Sequence, residues 1–335
     1  MQTRLQLTSD LSICRILNGM WQVSGGHGGI NPKAAIQSMF KYTDAGFTTW
    51  DLADHYGPAE DFIGEFRRQL AASRGEEALS NIQAFTKWVP RPGKMTKQIV
   101  EENIDISRRR MDVEALDLMQ FHWWQYEDKN YLDALKYMME LQLEGKIKHL
   151  ALTNFDTEHL QIVIESGIKI VSNQVQFSIV DRRPEVNMVD FCQQHDIKLF
   201  TYGSLCGGLL SEKYLGKSAP KLLKLNSASL RKYNNAIQIW GSWQLFQQLL
   251  FTLKQIADKH HVSIANIAVR YILDKPSVGG VIVGTRLSIS QHIEDNKKVF
   301  NFNLDKDDLN KIDAISNQSQ DLYKLIGDCG DEYRK

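Results

Sequence analysis

The segments TTWDLADHYG (48–57), NIQAFTKW (81–88) and LDLMQFHW (116–123) decide the reading of this chain. Each opens as a short apolar run that reads as a β-strand. Each then delivers residues with proton chemistry: Asp51 and Tyr56, Lys87, and His122. Asp51 to Lys87 spans 36 positions and Lys87 to His122 spans 35, which are βα-unit lengths. An acid, a phenol, an amine and an imidazole at neighbouring strand ends can protonate a carbonyl oxygen while another group delivers hydride to its carbon.

Working outward, apolar runs predict strands at 15–21, 47–52, 81–87, 115–122, 148–153, 171–177, 197–202 and 280–284. Helix-period stretches at 32–45, 59–72, 96–110, 130–144, 157–166 and 185–195 separate them. In NPKAAIQSMFKYTDAG, Asn31 can cap, Pro32 suits the first helical position, and Gly46 can end the helix. Such alternation predicts an α/β protein whose parallel strands pair through right-handed crossovers. The expected fold is a closed (β/α)8 barrel, with strand-end residues converging on one mouth. A doubly wound open sheet would want GxGxxG after its first strand. WQVSGGHGGINP (21–32) has glycines in another spacing, and GGHGG (25–29) reads as a mobile rim.

One domain over 1–335 is expected, with a barrel core at 14–318 and a hairpin within 1–13 closing the barrel's bottom. A long lid-like connection, 204–246, follows strand seven and carries Trp240, Trp243 and a basic stretch (Lys217, Lys221, Lys224). A last helix at 305–318 precedes a tail at 319–335.

Lys plus Arg equals Asp plus Glu at 40 each, so no global field favours nucleic acid or an anionic membrane. The four cysteines lack CxxC or metal-ligand spacing and read as reduced thiols, so no metal is expected. No apolar run approaches the ~20 residues of a membrane span, and MQTRLQLTSD has no signal character, which predicts a soluble cytoplasmic protein.

The order and contexts of Asp51, Tyr56, Lys87 and His122 resemble the catalytic tetrad of the aldo-keto reductases, and the resemblance runs through most of the chain. It implies that Tyr56 is the general acid. A phenol has a pKa of ~10 in water, and a neighbouring Lys87 ammonium, held by Asp51, is expected to lower it. His122 would polarise the substrate oxygen. Taken singly, such residues are often caps or packing groups; the four in order carry the reading. His55, the rival imidazole, sits in a loop that suits a turn or surface role.

The resemblance also implies a soluble dinucleotide as hydride source. LTNFD (152–156) is similar to the segment that grips the nicotinamide carboxamide through Thr153 and Asn154, with Gln174 completing the grip. LFTYGSLCGGLLSEKY (199–214) resembles the segment where Tyr202 stacks on the nicotinamide and the backbone of Gly203, Ser204 and Leu205 meets the pyrophosphate. VIVGTRLSISQHIEDN (281–296) resembles the adenosine end. There Gly284 opens the turn, Thr285 and Arg286 would hold a 2′-phosphate, and Asp295 and Asn296 would face the adenine. Many members have Pro-Lys-Ser where this chain has Val283-Gly284-Thr285, so a usual phosphate lysine is missing, and the stretch runs about two residues longer. NADP(H) is expected over NAD(H).

Trp21, Trp88 and Trp123, with Trp124, fall at or beside strand ends and are expected to wall the site of a small-molecule carbonyl substrate with flat apolar surface, which suits aromatic or long-chain aldehydes and ketones. The leading reading is an NADPH-dependent carbonyl reductase. A cofactor-binding regulatory or scaffold subunit, like the potassium-channel β subunits of the same family, is the alternative, its protein partner unknown. A barrel hydrolase or lyase would want paired carboxylates or a metal cluster, and Asp51 is the one strand-end carboxylate expected in the mouth.

Overall fold

The computed structural model describes residues 2–221 and 225–334; Lys224 of the basic stretch lies outside the described residues. An antiparallel hairpin, β1 (Arg4–Thr8) and β2 (Leu11–Cys14), opens the fold. Eight strands follow: β3 (Ile16–Gly19), β4 (Thr49–Asp51), β5 (Gln83–Trp88), β6 (Leu116–His122), β7 (Ile147–Thr153), β8 (Ser172–Gln176), β9 (Lys198–Tyr202) and β10 (Val278–Gly284). They pair in parallel in sequence order, and β10 closes on β3 to complete the barrel.

Between them run α1 (Pro32–Asp44), α2 (Ala59–Arg74), α3 (Lys97–Met111), α4 (Asn130–Leu143), α5 (Thr157–Glu165) and α6 (Met188–Gln194). The helix α1 starts as its sequence demands: Asn31 Oδ1 accepts from the Ala34 N–H at 3.0 Å, and Pro32 needs no partner. After β9 come α7 (Ala228–Trp240), α8 (Trp243–His260) and α9 (Ile264–Leu273); α10 (Ile293–Lys298), α11 (Lys306–Ser316) and α12 (Leu322–Ile326) follow β10.

Helices α8 and α9 lie largely beyond the sequence expectation, although Ser242 and Ser263 cap them. The lid-like connection is also more ordered than expected. It contains α7, whose Trp240 is buried, and the Trp243 indole N–H donates to the Lys217 carbonyl at 2.8 Å.

Strand pleating sorts side chains into two cores. Leu17, Phe85, Leu118, Ala151 and Phe200 point to the barrel axis, and Leu11 and Ile13 of the hairpin pack on them, filling the bottom. The alternate residues, among them Trp50, Ala84, Trp88, Met119, Phe121 and Leu152, face the helices. This parity fixes what reaches the mouth. Two positions beyond Phe85 stands Lys87, two beyond Ala151 stands Thr153, two beyond Phe200 stands Tyr202, and four beyond Leu118 stands His122. Among the described residues no helix is long and apolar enough to cross a membrane.

Candidate active site

Asp51 ends β4, and its carboxylate lies buried beside Lys87 of β5. The Lys87 ammonium donates to Asp51 Oδ1 and Oδ2 at 2.8 Å each and to the Leu52 carbonyl at 2.6 Å, which uses all three of its protons. Asp51 Oδ1 also accepts from the side-chain amides of Gln120 at 3.0 Å and Gln174 at 2.7 Å. Two opposite charges are thus buried together with their hydrogen-bonding capacity satisfied, the condition under which a buried pair is tolerated.

Tyr56 sits on the turn after β4, where Gly57 takes a φ of +56° against Ser24. The Lys87 ammonium lies 5.1 Å from the centre of the Tyr56 ring. The expected lowering of the phenol does not follow from this geometry. Burial pushes the Tyr56 pKa well above its ordinary value, and Asp51, Tyr333 and Asp54 add to the rise. Desolvation of the phenol comes first, and the Asp51 charge offsets part of what the nearby Lys87 ammonium contributes. Burial likewise pushes the Lys87 pKa down, with Asp51 opposing. Tyr56 therefore stays protonated at neutral pH, which a proton donor requires.

His122 ends β6. Burial pushes its pKa down to about 3, with Arg334, His55 and Lys87 adding repulsion, so the imidazole is neutral. Its Nε2 is buried without a hydrogen-bond partner. A buried unpaired ring nitrogen costs roughly 1–3 kcal/mol and is a natural contact for an incoming polar atom. His55 is largely exposed and pairs with Asp54 at 2.7 Å.

The structure brings the residues assigned to the nicotinamide together. Thr153 of β7 and Gln174 of β8 are register partners, and Thr153 Oγ1 is buried without a partner. Asn154 follows with a φ of +57°, and its Oδ1 accepts from the Tyr202 hydroxyl at 2.8 Å. Gln174 departs from expectation: its amide nitrogen turns inward to Asp51 and to Gln120 Oε1. Gly203 has a φ of +75°, and a Cβ there would fall 2.5 Å from the Tyr233 hydroxyl oxygen, so only glycine fits. Ser204 Oγ donates to the Phe177 carbonyl at 2.9 Å, which leaves backbone rather than hydroxyl to face a ligand beside the half-buried Leu205.

At the proposed adenosine end two assignments change. The Thr285 hydroxyl donates to the Gly19 carbonyl at 2.9 Å and is buried, so it ties β10 to β3 instead of meeting a phosphate. Asp295 Oδ2 accepts from Ser263 Oγ at 2.8 Å and joins α10 to the start of α9. Arg286 is exposed, with one bond from Nη2 to the His27 carbonyl at 3.2 Å. Gly284 lies under the Gln22 amide, and Asn296 is buried on α10.

The tryptophans divide by pleat. Trp21 is 37% exposed, and its ring meets that of Tyr56 edge-on at 4.9 Å. Trp124 lies 4.3 Å from the His122 ring. Trp88 and Trp123 are buried on the helix side against Phe121, because they follow Lys87 and His122 by one position and so point the other way. They do not wall the mouth. The Trp123 indole N–H instead donates to the carbonyls of Gln125 and Asp128.

Sequence reasoning missed Tyr333. Its ring stands 6.1 Å from His122 and 6.0 Å from Trp124, and its hydroxyl meets that of Tyr202 at 3.1 Å. GDEYRK carries no periodicity that could have placed it there. The rim at 25–29 is likewise held, with His27 Nε2 and Ser229 Oγ of α7 at 3.0 Å.

A closed parallel barrel with ionisable residues at the C-terminal strand ends defines a (β/α)8 protein of the kind that works at its mouth. The chain belongs to the Aldo/keto reductase family, which is matched over residues 15–317, and is by that membership an oxidoreductase. It is 21% identical to the NADH-specific methylglyoxal reductase of Escherichia coli (strain K12), over 89% of this chain and 93% of that protein. It is 26% identical to flagellar radial spoke protein 5 of Chlamydomonas reinhardtii over 66% of this chain, and it spans about half of that relative's length, 49%. The fold is shared with an aldo/keto reductase from Klebsiella pneumoniae solved with NADP and acetate. The TM-score there is 0.70 and the identity 18%, with 94% of this chain and 96% of that one covered.

Proposed function

We propose that the protein is an NADP(H)-dependent carbonyl reductase that turns a small aldehyde or ketone into an alcohol, with Tyr56 as general acid. The observation that carries this is the buried Asp51–Lys87 pair beside Tyr56, next to a neutral His122 whose Nε2 has no partner. The residues fit a nicotinamide: a buried, unpartnered Thr153 hydroxyl, the Asn154 amide, the Tyr202 ring and a glycine-only turn at Gly203 lie together. When bound, the dinucleotide supplies hydride to the carbonyl carbon.

The chain's own residues do the rest. His122, neutral and carrying its proton on Nε2, donates to the carbonyl oxygen and orients it. Tyr56 gives that oxygen its proton as negative charge develops. Lys87 stabilises the phenolate left behind, and Asp51 keeps the ammonium charged against burial. Trp21 and Trp124 flank the substrate and exclude water. Arg286, exposed and held by one carbonyl, is the group that would read a 2′-phosphate. One relative is named NADH-specific and one structural neighbour holds NADP, so Arg286 carries the preference here. A cytoplasmic location belongs to the same proposal and is supported by four free, buried cysteines.

The test is Tyr56→Phe, followed by NADPH absorbance against a panel of aldehydes and ketones. Turnover should fall about 10²–10⁴-fold, with NADPH affinity changing less than about threefold because Tyr56 follows β4 whereas the proposed cofactor residues stand on or after β7, β8, β9 and β10. Equal loss of cofactor affinity would undo the assignment. A second reading, a regulatory subunit that binds cofactor without turnover, is favoured by the coverage of the mouth by Tyr333. Tight NADPH binding with no turnover on any carbonyl would select it.

A further inference from the structure

The segment after α12 returns to the barrel mouth and takes the partners that a nicotinamide would use. Its base is anchored. Arg183, held by Asp181 at 2.8 Å, donates to the Asp328 carbonyl at 3.0 Å and pairs with Glu332 at 3.0 Å. Asp181 in turn accepts from Gln176 at the end of β8, so the anchor is fixed to the barrel.

Beyond the anchor, Tyr333 and Arg334 reach into the site. Arg334 Nη2 donates to the Asn154 carbonyl at 2.6 Å and to the Trp123 carbonyl at 3.1 Å. Gly330, with a φ of +89°, lies so close to Asn154 that a Cβ would fall 2.1 Å from the Asn154 carbonyl oxygen. Lys232 of α7 donates to the Tyr333 hydroxyl, and its ammonium stands 5.2 Å from the centre of the Tyr202 ring. With one proton per phenol, donors run from Lys232 to Tyr333, to Tyr202, to Asn154 Oδ1. Both Asn154 and Tyr202 are therefore engaged, one at its backbone and amide and the other at its ring and hydroxyl. Lys232 is thereby tied to the tyrosine run.

We propose that Tyr333 and Arg334 form an autoinhibitory latch over the nicotinamide end of the site, which the dinucleotide must displace while the Arg183 anchor stays in place. The proposal rests on the assignment of Asn154 and Tyr202 to the cofactor. A latch that closes the site most of the time reduces apparent cofactor affinity by the fraction of open molecules.

The experiment compares the unsubstituted protein with Tyr333→Ala/Arg334→Ala, which spares Glu332 and the anchor. NADPH and NADH are titrated by tryptophan fluorescence, and amide exchange across 328–334 is followed in the unsubstituted protein with and without NADPH. The latch predicts that the double variant binds NADPH about tenfold more tightly and that NADPH speeds exchange at the Tyr333 and Arg334 amides, with the anchored residues 328–332 unchanged. Unchanged or weaker binding in the variant, or slower exchange with NADPH, overturns the latch, because the segment then ignores or completes the cofactor site. If neither nucleotide binds either protein, the cofactor assignment itself falls, and the latch with it.

Discussion

Replacing Lys87 by methionine keeps the length of its stem and removes its charge. It leaves the Asp51 carboxylate, 3% exposed, with only the amides of Gln120 and Gln174 as donors. Stranding one member of a buried pair costs about 3–5 kcal/mol, and the two surviving amides put the expected loss near ~3 kcal/mol. Adding Asp51→Asn removes the second charge, while the new amide oxygen still accepts from the two glutamines. The bond from Lys87 to the Leu52 carbonyl is then lost and the introduced amide NH2 is buried facing the methionine, together a cost of about 2 kcal/mol. The double variant should therefore be more stable than Lys87→Met alone, by about 1 kcal/mol. Activity should behave differently. Both variants lack the ammonium beside Tyr56, so kcat/KM for an aldehyde with NADPH should fall about 10²–10⁴-fold in each. Urea unfolding followed by tryptophan fluorescence gives the stabilities, and initial rates give kcat/KM. If the double variant is no more stable than the single one, the pair is not the strained element described here. If its activity returns with its stability, Lys87 acts by holding the fold and not by stabilising a phenolate.

Other consequences are independent of that pair. Arg286→Ala should weaken NADPH by about 10–100-fold, the scale of a charge-assisted bond, and NADH by less than about twofold; equal weakening of both would remove the 2′-phosphate role. Trp124→Ala should raise KM for an aromatic aldehyde about tenfold, whereas Trp88→Ala should leave KM alone and lower stability by about 3–5 kcal/mol, and the reverse pattern would contradict the pleat assignment. Between the ordinary histidine value of 6.5 and about 3, the unfolded chain protonates at His122 while the folded protein does not. Stability should thus fall as pH drops through that window, by up to about 5 kcal/mol. His122→Gln should flatten this part of the curve, and parallel curves would show that His122 does not carry it.

The barrel was legible because its strands are short apolar runs spaced by helix-period segments, a pattern that local sequence carries. The placement of Lys87 and His122 at the mouth was legible for a related reason. A residue at the end of a parallel barrel strand reaches the mouth if its parity matches the inward face, and Lys87 and His122 share parity with Phe85 and Leu118. The same rule, applied one position further, would have sent Trp88 and Trp123 to the helix side. Parity was the available signal that the tryptophan assignment left unused.

What the sequence determined by itself, then, was the order of elements and the chemical types that stand at strand ends, since both depend on neighbours a few residues apart. Tertiary structure decided how those groups spend their bonds. Lys87 gives all its protons to Asp51 and Leu52, so none is left for Tyr56, whose pKa burial raises. Thr285 and Asp295 turn to Gly19 and Ser263, 266 and 32 residues away in the chain. Tyr333 meets Tyr202 across 131 residues. Hydrogen bonds and burial between distant segments are set by where the closed barrel brings them, and no local pattern records that distance.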